Sequence, residues 1–343
     1  MGYKEFHDYT TKDKKHQRPW KPKKKQNMLY SERLAELAKT VDWMDKKRFS
    51  RNAERVRQCA SVLIFKKYVK TGKTVLDKAY FCKDRLCPVC QWRRSIKMGY
   101  QLAQTLTESL KRYPKSSFIF LTLTVKSVDG SDVRKTIRAL NAGFKRMSNW
   151  VRVRKVTIGF FRSTEMTINR KDPNHLTFHP HLHVILQVKG GYFSGSDYIS
   201  QSEWRKMWAK AMNLDYEPMV RVSKIRPKNQ KVSSTQSAVL ETAKYTVKST
   251  TYLSVDSSVD MEIIRILKSQ MSHLRMASYG FELKEIHNEK FGEVKNLEDE
   301  TDDDLIHTSG DDEDLSEEAV MVTVFWQSHH SRYVEVEPKP IIK

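Results

Sequence analysis

Between residues 118 and 225 the hydrophobic positions switch between strand and helix periods in an order that predicts a topology. Residues 118–125 (FIFLTLTV) are a short run of aromatic and β-branched residues, the composition of a buried strand. Over 132–150 the apolar positions Val133, Ile137, Leu140, Phe144 and Met147 lie three or four apart, the stripe of an amphipathic helix. Residues 156–168 read as a second strand. A polar connection, 169–177, carries the turn signal Asp172-Pro173-Asn174 and leads to a third strand at 179–188. Trp204, Met207, Trp208 and Ala211 mark a helix over 203–212, and 219–225 reads as a fourth strand. The order β-α-β-β-α-β is the split, ferredoxin-like pattern, an α+β fold on an antiparallel sheet. Its first and third strands are central, so 179–188 is expected between 118–125 and 156–168.

The rest of the chain is less periodic. Residues 1–30 read as a basic, mobile arm, followed by a helix over 31–44 with Leu34, Leu37, Ala38 and Val41 at helical spacing. Two strand-like runs, 61–65 and 75–81, lie in a region that holds every cysteine. A helix striped by Trp92, Ile96, Ala103, Leu106 and Leu110 follows. Beyond 225 the pattern predicts a helix over 235–248, a mostly helical stretch over 256–290, and a hairpin from 320–326 and 333–336. The expected organisation is an arm and helix (1–50), a Cys-rich region (51–95), the split β-α-β domain (96–255) and a C-terminal region (256–343).

Charge narrows the partner. The 343 residues carry a net charge of +21, unevenly spread. Residues 298–318 hold 12 acids and no Lys or Arg, and read as a solvated acidic linker. Elsewhere 62 basic residues face 29 acidic ones, a body suited to a polyanion, above all nucleic acid. No apolar run approaches the ~18 residues of a membrane span, and no secretory signal is visible. A cytosolic protein is expected, and there four cysteines serve as thiols or metal ligands sooner than as disulfides.

Three groups carry chemistry. Alternate residues of a strand share a face, so His179, His181 and His183 point one way while Leu182, Val184 and Leu186 point into a core. As neutral ligands such histidines hold a divalent metal; the plainer reading is a His-rich polar face. His181 and His183 are the stronger pair. Glu165, on the preceding strand, is the third candidate, and a His/His/Glu set suits Mg²⁺ or Mn²⁺. Glu165 as the ion-pair partner of a Lys or Arg is the alternative. In Glu241-Thr242-Ala243-Lys244-Tyr245 the first and last residues share a helix face. Tyr245 is a possible nucleophile and Glu241 a possible base; alone, this spacing describes equally a surface Glu beside a half-buried Tyr. Cys59, Cys82, Cys87 and Cys90 can form a tetrahedral Zn²⁺ site, although C-x4-C-x2-C departs from paired C-x-x-C, and Cys59 and Cys82 also fit as buried hydrophobes.

Four motifs in order, FCKDRLCPVCQWRR, FLTLT, HPHLHVIL and ETAKY, resemble those of the rolling-circle replication initiators of small Gram-positive plasmids, within the HUH endonuclease superfamily. The resemblance runs from Cys59 to Leu253. It implies that Tyr245 attacks the scissile phosphate of the plasmid's double-strand origin and becomes linked to the 5′ end. The freed 3′-OH then primes a host polymerase working with a host helicase. It implies that Glu241 activates water for the terminating cleavage. A single-tyrosine HUH transposase or relaxase shares the chemistry, but its typical members lack the cysteine block. A zinc-containing DNA-binding regulator without catalysis explains charge and cysteines but not the histidines, and a metal-dependent hydrolase leaves Tyr245 idle.

Overall fold

The computed structural model describes residues 19–172, 174–225, 249–294, 299–308 and 318–336. The helix expected at 235–248, and with it Glu241 and Tyr245, lies outside the described residues. The chain forms two units: Met1–Lys97, Val255–Met261 and Leu297–Lys343 make the first, and Met98–Ser254 with Glu262–Asn296 the second.

In the second unit the six elements fall where the hydrophobic periods predict them. They are β3 (Ser117–Thr124), α4 (Val133–Asn149), β5 (Thr157–Asn169), β6 (Thr177–Val188), α6 (Gln201–Met212) and β7 (Val220–Lys224). A short α5 (Val151–Val156) precedes β5, and β8 (Ala277–Phe281) follows later in the chain. The sheet order is β7-β3-β6-β5-β8, and each of these pairings is antiparallel. The two-residue β4 (Val128–Asp129) pairs with β6 off this path. The fold is therefore α+β with the ferredoxin-like order, and the His strand lies between β3 and β5 as expected.

Each face of this sheet has its own core. Leu121, Leu123, Leu182, Val184 and Leu186 pack with Leu140, Phe144 and Met147 of α4 and Trp204 and Trp208 of α6. On the other face Phe118, Phe161 and Ile185 pack with Leu102 and Leu106 of α3 (Pro88–Arg112) and Leu283 of a helix at Glu282–Phe291. That face is apolar at one end and carries the histidines at the other. Helix α6 is fixed by a capping box, in which Ser200 Oγ accepts from Glu203 N at 3.2 Å while Glu203 Oε2 accepts from Ser200 N at 2.7 Å. Gly159 is required by packing: a Cβ there would lie 2.6 Å from the backbone nitrogen of Leu283.

The first unit has a four-stranded antiparallel sheet in the order β10-β9-β1-β2, built from β1 (Val62–Tyr68), β2 (Thr74–Ala79), β9 (Ala319–Gln327) and β10 (Arg332–Glu335). The C-terminal hairpin forms as its pattern predicts. The N-terminal region differs from expectation. Helix α1 spans Trp20–Thr40, starting well before Ser31, and α2 spans Trp43–Gln58. The buried positions of α1 include Trp20, Lys24, Asn27, Ser31, Leu34 and Leu37. This is a helical stripe whose first half mixes polar residues with apolar ones, so a hydrophobic period cannot reveal it. Asp42 caps α2, accepting from Met44 N and Asp45 N, each at 3.1 Å.

Part of the acidic stretch is also held in place. Arg94 pairs with Glu300 at 2.6 Å, Lys97 with Asp304 at 2.7 Å and Lys83 with Asp302 at 3.2 Å. Arg93, 2% exposed, donates to the carbonyls of Leu305 and Ile306, each at 2.7 Å. Arg93 and Arg94, part of the basic excess that the sequence assigns to a polyanion, are therefore engaged inside the unit instead. Among the described residues no helix is long and apolar enough to cross a membrane.

Candidate functional site

The β5–β6 hairpin sets Glu165 opposite His181 and Ser163 opposite His183. Opposed residues in a strand pair face the same way, so the carboxylate and both imidazoles converge on one patch. His183 Nε2 lies 2.6 Å and His181 Nε2 3.5 Å from Glu165 Oε2, and the two Nε2 atoms are 3.1 Å apart. Adjacent ligands of an octahedral ion with bonds of about 2.1 Å lie roughly 3 Å apart, so the triangle has the size of one face of such a site. His179 stacks on His181 with ring centroids 5.3 Å apart but is not in the convergent group.

The opposite ring nitrogens are also held. Thr122 Oγ1 lies 3.4 Å from His183 Nδ1, and the His179 carbonyl lies 3.2 Å from His181 Nδ1. Partners on Nδ1 fix the rings with Nε2 turned inward, the arrangement seen around metal-binding histidines. Phe120 stacks on His183 at 5.4 Å. Thr122 was visible in the sequence only as a polar position alternating with leucines in FLTLT; its contact depends on the strand order. Burial acts to raise the Glu165 carboxyl, but hydrogen bonds from His181 and His183 outweigh it and hold the group well below the usual carboxylate range. Burial, helped by His181, pushes His179 below its ordinary value.

The end of β5 also reaches the chain at residues 251–254. Arg170 donates to Ser254 Oγ at 2.7 Å and to the Thr251 carbonyl at 3.4 Å. The helical turn there, Ser249–Tyr252, begins four residues after Tyr245 in the chain and is anchored by the buried Tyr252.

The four cysteines form a second cluster, in the first unit. All are buried and free. Cys59 and Cys90 sulfurs are 3.6 Å apart, Cys82 and Cys90 3.7 Å, and Cys59 and Cys87 3.7 Å. A tetrahedron with Zn–S bonds of about 2.3 Å has edges of about 3.8 Å, so the cluster fits a zinc ion. Burial pushes the Cys82 and Cys90 thiols up; it acts the same way on Cys87, but bonds from Cys59, Cys82 and Cys90 hold that thiol down. Among the described residues these two clusters are the groups of three or more His, Cys, Asp or Glu able to share an ion.

Comparison with known proteins gives the family. Residues 73–334 match the family model Rep_1, described as replication protein. A protein rep from Lactiplantibacillus plantarum is 38% identical over 321 residues, covering 92% of this chain and 95% of the relative. One from Streptococcus pneumoniae serotype 2 is 36% identical over 318 residues, covering 92% and 91%. One from Bacillus amyloliquefaciens is 34% identical over 345 residues, covering 97% of each. No solved structure matches at a significant level. With that family match and relatives aligned along nearly their full lengths, the chain belongs to the Rep_1 family of replication proteins.

Proposed function

We propose that this replication protein is a plasmid rolling-circle initiator, an HUH-type endonuclease that nicks one strand of the double-strand origin and transfers it. The observation that carries the reading is the convergence of Glu165, His181 and His183 on one patch of the sheet. The nitrogen and carboxylate donors suit Mg²⁺ or Mn²⁺. Such an ion, when bound, would polarise the scissile phosphate and offset charge on the departing oxygen. Tyr245 is the nucleophile: its oxygen bonds to phosphorus, the bond from phosphorus to the 3′ oxygen breaks, and that oxygen ends as the 3′-OH. The phenol proton leaves as the 3′ oxygen gains one. A phenol with a pKa of about 10 needs cations nearby to react at neutral pH, and Lys244 and Lys248 supply them in sequence. Arg170, by tying the turn after Tyr245 to the strand that bears Glu165, supports a role for this segment beside the metal patch. Glu241 activates water for the final cleavage.

The substrate strand is single-stranded or extruded when cut, because in-line attack needs an exposed phosphate. The host helicase and polymerase act on the product, in the bacterial cytoplasm. The cysteine cluster is a structural zinc site, supported by the sulfur spacings.

The test is incubation with Mn²⁺ and a single-stranded origin oligonucleotide. A covalent adduct on the 5′ end, absent in Tyr245→Phe, is expected. Cleavage that persists in that variant would transfer the reading to a hydrolase using water. Absence of cleavage with every origin-derived strand would leave a zinc-containing DNA-binding regulator.

A further inference from the structure

Helix α1 buries a lysine that, among the described residues, hydrogen-bonds no carboxylate. Lys24 is fully shielded from solvent. Its Nζ donates to Cys59 O at 2.6 Å, Arg57 O at 2.7 Å, Ser61 Oγ at 3.0 Å and Asn27 Oδ1 at 3.1 Å. All four acceptors are neutral. Four dipoles solvate an ammonium but do not balance its charge, and an unbalanced buried charge is costly.

Asn27, also fully buried, links this lysine to the sulfurs. Its Oδ1 accepts from Lys24, while its Nδ2 donates to Val56 O at 2.9 Å and to Cys87 Sγ at 3.3 Å. A sulfur accepts such a bond well when it is a thiolate and poorly when it is a thiol. A divalent ion held by four thiolates leaves an excess of negative charge, in a pocket sealed from water. The missing counter-charge for Lys24 and the missing positive charge for the cluster are thus the same interaction.

We propose that Lys24 and Asn27 of α1 are positioning residues of the zinc site, Lys24 balancing the tetrathiolate charge and Asn27 hydrogen-bonding the Cys87 sulfur. The proposal rests on the zinc reading above and deepens it. It makes α1 a part of the metal centre although none of the helix's residues is a ligand. Outer partners of this kind typically change metal affinity by 10–100-fold.

The experiment uses the full chain loaded with zinc and challenged by a colorimetric chelator. Lys24→Met and Asn27→Leu should each release zinc at least about ten-fold faster than the wild type. Ser31→Ala is the control. Its hydroxyl lies on the same helix and donates to Ala53 O at 2.8 Å, so its loss weakens α1 against α2 without touching the cluster. It should release zinc at the wild-type rate. In the cobalt-substituted protein, the sulfur-to-metal charge-transfer band should move to lower energy in Asn27→Leu and stay in place in Ser31→Ala. Should Lys24→Met not fold, Asn27→Leu decides alone. Wild-type release rates in the folded α1 variants, or equal acceleration in Ser31→Ala, would overturn the proposal and leave the zinc site standing. A folded wild type that carries no zinc would remove the zinc reading and the proposal together.

Discussion

The Glu165 carboxylate lies nearer to His183, 2.6 Å away, than to His181, 3.5 Å away, although His181 is its direct partner across the strand pair. The contact is a diagonal one. A direct pair across two strands is close enough for a short side chain, whereas the diagonal needs reach. Glu165→Asp should therefore weaken Mn²⁺ binding nearly as much as Glu165→Gln, by about ten-fold or more, with the fold intact. Calorimetric titration of Mn²⁺ checks this. An aspartate that binds like the wild type would mean that the ion, if bound there, does not draw on the diagonal contact.

Arg170 should matter for the reaction and not for the ion. Its side chain hydrogen-bonds Thr251 and Ser254, at and just beyond the turn Ser249–Tyr252. Arg170→Ala is expected to lower the yield of covalent adduct several-fold while leaving Mn²⁺ affinity at the wild-type value. Parallel loss of both would place its effect in the strand.

Glu241→Ala should still nick and form the adduct, but closed single-stranded circles should fall sharply. Gel analysis of replication products in extracts reads both at once. Normal circle yields would take the terminating role away from Glu241.

Glu300→Gln should destabilise the first unit. Glu300 and Arg94 are 12% and 10% exposed, and Arg94 also donates to the carbonyls of Lys83 and Asp84. Removing one partner of a buried pair leaves the other charge uncompensated, at a cost of about 3–5 kcal/mol. Urea unfolding measures it; a change near zero would show that water reaches the arginine.

Gly159→Ala tests the packing of the second unit. The nearest atom to an added Cβ is backbone, so the Leu283 helix must shift, at a cost of about 1–3 kcal/mol. Thermal unfolding of the variant against the wild type gives the value.

The parts legible in the sequence are those whose signal is local. Strand β6 shows its two faces through residues two apart, and the β5–β6 connection announces its turn, so the meeting of Glu165 with the histidines follows from the order of elements. Lys24 and Asn27 gave no such signal. They lie beside a run of lysines, and what makes them interior residues is a set of acceptors near positions 56 to 61 and a sulfur at Cys87. Arg94 and Glu300 are 206 residues apart, and each alone reads as a solvated charge. The Thr122 contact to His183 required the strand order before it had meaning.

The pairing of Leu63 with Val324 also sets a timetable for the nascent chain. Strand β1 has β2 on one side early in synthesis, but its other edge stays open until β9 emerges. At common elongation rates that interval is on the order of ten to fifty seconds. Tyr333, whose hydroxyl donates to the Ala60 carbonyl 273 residues earlier, closes the same sheet last. The strands of the ferredoxin-like sheet all precede β9 in the chain, so they can pair before β9 is made. The cysteine-bearing unit is complete only once β9 and β10 have been made, and ribosome-bound chains halted before β9 should protect the histidine strand from protease while leaving β1 open to it.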